Sequence, residues 1–518
     1  MRMAGPRNEQ QHNKRDQGYA IVLTALLLIP LMGFVGFAVD IGAWYGRAAE
    51  MGRAADAASL AGVVWQPDFT RAEAAARAEA TRNGFTHGVD GVQVLVTNTG
   101  SNELEVEIVD NDVDLYFSSL FIDNVSISRE AGAEYAAPVP MGSPTNFIGA
   151  GSQSLGSVPA SNAWAGMMGH CSNSRWGDLV SIRTTDWTSS NCGSSLSSYH
   201  DPGGYRWIVD VPAGSGTVNI NVWDIGYCTD RSGSPLNATD KRNALLRFSL
   251  YDRDSTPLTH VDNVTPANLL ATYTGSPDEG CNTWTGPGTH GLQITGGAGQ
   301  YVLTTEILDS TGSQAYASTG DYNGQNYFSL QAANASNPAG CVTFTSATCP
   351  GIYADEWMPV RTDATSSPAV FYLAEVGPEH AGKQLQVAMW DLGEGMKSVE
   401  VLDPAGNALD FTWEVVYAVG TAGASGSATS TNTLPMAHPS QCTGATCGTC
   451  DLSSFCLFVT DRVFDGDLVE ITVQIPNDYS AFTNSWYQVR YTLVPGATSV
   501  DWTTWGVQVI GDPVRLIR

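Results

Sequence analysis

YAIVLTALLLIPLMGFVGFAVDIGAWYGRAAEMGRAADAASLAGVV, residues 19–64, decides how the rest of the chain is read. From Tyr19 to Val39 there is no charge, and as a helix rising ~1.5 Å per residue this run covers ~30 Å, the hydrocarbon thickness of a bilayer. Arg2, Arg7, Lys14 and Arg15 precede it, and Asp40 follows. The positive-inside rule therefore expects residues 1–18 in the cytoplasm, a single-pass span over 19–39, and the bulk of the chain outside the cytoplasm. A cleaved secretory signal is the competing reading. Its apolar core would be shorter, ~7–15 residues, with a small-x-small site behind it. Here Asp40 to Val64 is Ala-rich and free of Pro, so the rod is expected to run on past the membrane, with a modest kink at Pro30. Ala38, Gly42 and Gly46 fall at i, i+4 and i+8. With Asp56 they are the candidate helix-packing residues, since small side chains let another helix approach closely. The plain alternative is a helix merely rich in Ala and Gly. Gln66-Pro67-Asp68 ends the rod. Phe69 to Arg82 reads as a second helix, with Thr70 and Glu73 as a capping box and Asn83-Gly84 closing it.

Beyond residue 140 the pattern changes. The chain has 518 residues, enough for several domains, and 54 Gly, with many Ser, Thr, Asn and Asp, suit an all-β protein with frequent turns. Fifty-two acidic residues against 25 basic ones leave a net charge of −27. A phosphate backbone needs a basic footprint, so nucleic acid is excluded as a partner.

Ten cysteines all lie beyond residue 170: Cys171, Cys192, Cys228, Cys281, Cys341, Cys349, Cys442, Cys447, Cys450 and Cys456. An even count confined to the exported part suggests disulfides in an oxidising compartment. Neighbour pairing (171–192, 228–281, 341–349, and two bridges within 442–456) would staple loops locally. A four-thiolate zinc site at 442–456 is the other reading, with a single Cys-x2-Cys knuckle to support it.

A weak repeat marks the β region. Tyr205 to Gly226 (YRWIVDVPAGSGTVNINVWDIG) and Tyr372 to Gly393 (YLAEVGPEHAGKQLQVAMWDLG) share a Tyr-to-Trp spacing and end in Trp-Asp-(Ile/Leu)-Gly. Leu250-Tyr251-Asp252 and Val401-Leu402-Asp403 follow them, and later Tyr301 to Leu308 and Trp486 to Leu493. The VNINVW and LQVAMW runs alternate at period two, so one face of each strand is buried. Two tandem β-sandwich, jelly-roll-like modules are expected, at 141–345 and 346–518. Each Trp-Asp pair either flanks a sugar or calcium ion, or is a Trp at a sheet edge with Asp and Gly making the turn. Thr421 to Pro435 reads as a flexible insert.

No G-x-S-x-G elbow, H-E-x-x-H pair, Gly-Lys-Ser phosphate loop or G-x-G-x-x-G junction occurs, and the eight His are scattered. The expectation is a protein that is not an enzyme and has no cofactor. A paired-carboxylate hydrolase would leave no such signature. Asp110-Asn111-Asp112-Val113-Asp114 and Asp461 to Asp467 offer hard oxygens to calcium, without the closing Glu of a twelve-residue loop.

Gly18 before the apolar run, Gly36-Phe37-Ala38-Val39-Asp40, Trp44-Tyr45, Arg47, and Ala54-Ala55-Asp56-Ala57-Ala58-Ser59-Leu60-Ala61-Gly62 together resemble the N-terminal anchor of TadG-like proteins of the Flp, or tight-adherence, pilus system. Val92 to Tyr135 is similar to the β-rich continuation of that family. Leu23 stands where peptidase-cut prepilins often carry Glu. The metal motif D-x-S-x-S of some relatives has its nearest counterpart at Asp309-Ser310-Thr311-Gly312-Ser313, with Thr for the middle Ser. The resemblance implies a helical stalk over 40–90, a small β-rich region over 91–140, and a membrane-anchored structural protein. Its partners would be other pilus-assembly proteins or pilins, and its role pilus assembly, anchoring or adhesion. The competing class is an anchored adhesin whose β modules bind a surface glycan or calcium, unrelated to pili.

Overall fold

The computed structural model describes residues 12–66, 69–99, 103–135, 139–149, 162–172, 174–183, 187–188, 191–192, 197–226, 244–254, 260–276, 279–309, 312, 325–364, 367–393, 396–418, 427–431, 433–435, 464, 466–493, 499–510 and 514–517. The chain is mainly β behind a long N-terminal helix, and it divides into two compact units. One is Met1–Ala136 with Asp512–Arg518, and the other is Ala137–Gly511.

In the N-terminal unit, helix α1 (His12–Val63) is unbroken through Pro30 and is long and apolar enough to cross a membrane. Its first half packs on almost nothing within the chain: Ile21, Leu26, Ile29 and Phe34 are all exposed. Its second half buries Ala48, Met51, Ala55, Ala58 and Val63, a stripe at helical spacing. Helix α2 (Phe69–Arg82) buries Ala72, Ala76 and Ala80 one turn apart. Thr70 lies inside the first turn of α2 rather than capping it, and Glu73 reaches forward to Arg77 at 2.8 Å instead of back to the helix start. Gly84, at φ +91°, ends α2 as expected, with the Phe85 amide bonding back to the Ala80 carbonyl.

Three strands, β1 (Val92–Asn98), β2 (Glu103–Asp110) and β3 (Ile127–Tyr135), form an antiparallel sheet under these helices. Leu104, Val106 and Ile108 alternate inward along β2, as period-two patterning requires. The fourth strand of this sheet is Val514–Leu516, which pairs with β3 from the far end of the sequence.

Sixteen further strands carry the two halves of the β unit. Those of the first half are β4 (Asn162–Met168), β5 (Tyr205–Val211), β6 (Val218–Trp223), β7 (Ala244–Arg253), β8 (Leu269–Gly275), β9 (Gly299–Asp309), β10 (Gln325–Asn334) and β11 (Gly351–Asp355). The second half contributes β12 (Trp357–Ala364), β13 (Ala369–Glu375), β14 (Gln384–Trp390), β15 (Met396–Leu402), β16 (Phe411–Ala418), β17 (Asp467–Gln474), β18 (Trp486–Leu493) and β19 (Ser499–Ile510). Strand pairing repeats between the halves. In the first, β7-β9-β5 lie side by side in one sheet and β6-β10-β4 in another; in the second, β15-β18-β13 and β14-β19-β12 take the same places. The two sequence copies thus occupy equivalent positions, β5–β6 and β13–β14. β4 pairs with β12, so the larger sheets of both halves fuse into one of twelve strands.

At that seam Arg361 sits opposite Trp164 on one side and Trp502 on the other. Its guanidinium lies 5.0 Å from the Trp164 ring, 4.4 Å from Tyr327 and 5.7 Å from Trp502 while 3% exposed. The rings supply the attraction that a counter-ion would otherwise provide. One continuous core, with Trp207, Trp390 and Trp505 fully buried, draws on both halves.

Candidate functional site

The strongest geometry in the N-terminal unit surrounds the point where α1 turns from apolar to mixed. Asp40 is completely buried. Its carboxylate accepts the backbone N–H of Tyr116 at 3.1 Å, of Phe117 at 2.9 Å and of Ser118 at 2.5 Å, and the Ser118 hydroxyl at 2.6 Å. These donors come from the approach to a single 3-10 turn, Ser118–Leu120, whose free amides suit an anion. A Cβ on Gly36, one turn earlier on α1, would meet Phe117 at 2.8 Å, so the absent side chain is what lets this loop lie against the helix. Two turns later, Arg47 donates from Nε at 2.9 Å and Nη2 at 2.7 Å to Asp110 Oδ2, and lies 4.5 Å from the Phe85 ring. Asp40 and Arg47 therefore tie α1 to the loop and the sheet behind it with two charge-assisted clamps.

The expected helix-packing residues fall elsewhere on α1. Ala38, Gly42 and Gly46 are exposed, and nothing in the chain lies within 4 Å of a Cβ built at Gly42 or Gly46. Asp56 is half-buried, its backbone carbonyl taking the Ser59 hydroxyl at 2.9 Å. On α1 the glycine that packs most tightly is Gly62, where a Cβ would collide with Leu104 and come within 2.9 Å of the Ala72 carbonyl.

Cys341 and Cys349 form a disulfide, as neighbour pairing expects. Cys171 and Cys281 are also disulfide-bonded. Cys192 ends a two-residue strand paired with 187–188. Cys228, Cys442, Cys447, Cys450 and Cys456 lie outside the described residues, and the zinc reading with them.

Of the calcium candidates, Asp110 has its carboxylate occupied by Arg47 and by the Asp112 amide at 3.1 Å. Most of 461–467 and of the 309–313 motif is outside the described residues; Asp309 itself ends β9. Among the described residues no group of three or more His, Cys, Asp and Glu is placed to hold a metal ion. Nor do the Trp-Asp repeats present a binding face. Trp223 and Trp390 end interior strands and are buried, not at a sheet edge: period two puts each on the face opposite Val218, Ile220 and Val222 or Leu385, Val387 and Met389, where Trp223 lies 5.7 Å from the Tyr327 ring and Trp390 donates from Nε1 to the Ser174 carbonyl at 2.8 Å. Asp224 and Asp391 adopt φ of +54° and +61°. Their carboxylates receive the amides of Asn282 and Gly466, which ties the end of each strand to a segment distant in the sequence.

Two clusters in the β unit have no signature in the sequence. The rings of His170 and His200 stand 5.6 Å apart, but both nitrogens of His170 face carbonyl oxygens, of Ser181 at 2.9 Å and Ile307 at 2.8 Å. Burial pushes the His170 pKa down to about 4. The second is a cavity of about 340 Å³ lined by Asp210, His260, Tyr353, Glu375, Glu379 and His380. Burial raises Asp210 to about 6. Burial, and then the charges of Glu379 and Asp210, raise Glu375 to about 7. Buried acids lining a cavity meet one condition for general acid work.

No protein of curated function matches the chain. Among solved structures, one titled "Structure of infectious bursal disease virus Gx strain" aligns with 74% of this chain and 84% of its own at 9% identity, and its TM-score of 0.10 carries no argument. The stretch that does match a family is the one that holds the apolar run, Asp40, Arg47 and most of α2. Residues 18–78 fit the model described as putative Flp pilus-assembly TadE/G-like, and the N-terminal region of this chain is TadE/G-like.

Proposed function

We propose that the chain is a membrane-anchored structural protein of the Flp (Tad) pilus system, without enzymatic activity, which takes part in assembling or anchoring the pilus and in adhesion. The observation that carries this reading is the family match over 18–78, lying on a helix whose first half is bare and whose second half is clamped to a folded unit. In this reading α1 crosses the membrane once, with residues 1–18 in the cytoplasm and the rest outside it. The uncovered stripe Ala38, Gly42 and Gly46 packs against a helix of a pilin or another assembly protein. Any calcium or glycan bound by the β unit would serve adhesion.

The test is made in the cell that produces the protein. Gly42→Leu and Gly46→Leu should leave the membrane level unchanged, since Leu favours the bilayer. Pilus number or adhesion should fall, because the partner helix is pushed away. If piliation survives both substitutions, and also survives exchange of residues 19–64 for an unrelated apolar anchor, the helix has no assembly role.

A further inference from the structure

The loop that Asp40 clamps is itself apolar. Residues 115–122 read LYFSSLFI, and Tyr116, Phe117 and Phe121 are 62%, 53% and 83% exposed. Three large aromatic side chains left in water on one short loop need a reason. The loop's position along α1 supplies one. If Tyr19 to Val39 fills the hydrocarbon layer, Asp40 stands at its outer edge, and Gly36 lies ~6 Å inside that edge at ~1.5 Å per residue. Phe117 packs on Gly36. The loop therefore reaches back along the helix to the depth where the acyl chains end. Tyr45, 73% exposed, lies ~9 Å along α1 from Val39, at headgroup level. Aromatic side chains are favoured at this boundary, where the ring meets lipid and a hydroxyl meets water. The complete burial of Asp40 fits the same picture. A bare carboxylate at the rim of the hydrocarbon would be costly, and here four hydrogen-bond donors take the place of its water.

We infer that residues 115–122 form a membrane-docking loop, whose Tyr116, Phe117 and Phe121 side chains insert into the outer interface of the bilayer beside α1. This rests on the reading of α1 as a membrane span. The Asp40 and Arg47 clamps then hold the sheet of the N-terminal unit at a fixed height above the lipid. Asp114 and Asp123 are exposed on either side of the loop, so apolar burial drives the insertion, not attraction to anionic headgroups.

The test uses the full chain reconstituted in phosphatidylcholine vesicles, with an environment-sensitive thiol dye attached at Phe121→Cys or, separately, at Val35→Cys. Labelling is done without reductant so that bridged cysteines stay inert, and the unsubstituted chain gives the background. Both positions should be quenched by spin-labelled lipid at least about twofold more than by iodide in the buffer. Lipid quenching at 35 with aqueous quenching at 121 overturns the docking loop and leaves the anchor standing. Shielding of 121 from both quenchers means that protein, not lipid, covers the loop, and overturns it equally. Aqueous quenching at 35 removes the anchor, and the docking loop falls with it.

Discussion

Replacing Asp40 with Ala removes one carboxylate and strands four donors. The amides of Tyr116 and Phe117 belong to exposed residues and can turn to water or headgroups, but Ser118 is 1% exposed and its amide and hydroxyl cannot. Two buried donors left without an acceptor cost ~1–3 kcal/mol each, so a loss of ~3 kcal/mol from the closed state of the loop is a central figure. At ~1.4 kcal/mol per tenfold, the open population of residues 115–122 rises about a hundredfold. Asp40→Asn keeps one carbonyl oxygen in place but turns an NH2 towards the same donors, and should fall between wild type and Ala. The measurement is hydrogen exchange on the full chain in phospholipid nanodiscs, read at the amides of 116–118. Those of Trp486–Leu493 in the β unit serve as the internal standard. The Ser118 amide should exchange about a hundredfold faster in Asp40→Ala, with the standard unchanged. If Ser118 exchange changes by less than ~threefold, the carboxylate is not what closes the loop, and Phe117 packing on Gly36 must suffice.

Gly62→Leu should separate α1 from α2 and β2, because the new side chain enters space already held by Leu104 and the Ala72 carbonyl. Overpacking of this kind costs ~1–3 kcal/mol or more, and urea unfolding of the N-terminal unit within the full chain should show it, while Gly46→Leu costs nothing measurable. Glu375 is raised in the folded state from 4.5 to about 7, so its stabilising effect is complete below pH 4.5 and is lost as pH rises through about 7. The β unit should lose up to ~3 kcal/mol across that window, and Glu375→Gln should flatten the dependence of its melting temperature on pH. A pH profile identical in wild type and Glu375→Gln would refute the assignment. At the seam, Arg361→Met keeps the volume without a charge to desolvate and should be tolerated. Arg361→Lys loses the flat face that the three rings hold and should be worse by ~1–3 kcal/mol in denaturant titration.

What could be read in advance was whatever local pattern encodes. The bounds of α2, the continuation of α1 past the membrane and the period-two strands all follow from residues within a few positions of one another. The repeat was legible because two copies of the same Tyr-to-Trp spacing fold into the same strand pair. Partners were not legible. Asp40 was visible as a polar residue at a membrane edge, yet its donors lie 76–78 residues on, in a stretch whose LYFSSLFI composition signals only apolarity. The acidic cavity draws residues from well-separated segments, and no spacing rule links Asp210 to Glu375. Periodicity says which face of a strand is buried but not which strand lies beside it, so the β4–β12 seam and the late strand beside β3 had no signal.

The late strand bears on the proposed anchoring role. The chain leaves the N-terminal unit after β3 and returns to it at Val514, and Val514 pairs with Tyr135, the last residue of β3. Both connections to the β unit therefore start from one cross-strand residue pair. A pull on the β unit reaches the N-terminal unit through two covalent paths and draws both strands the same way, so their mutual ladder is not sheared. The load passes instead to the β2–β3 ladder, eight residue pairs from Glu103–Glu134 to Asp110–Ile127. Behind that ladder, Arg47 clamps Asp110 at the end of β2 to α1. A protein that only displayed its β unit could hang it from a single linker. Two connections from one residue pair, backed by an eight-pair ladder and a charged clamp to the anchor helix, suit a chain that carries tension between a surface structure and the membrane.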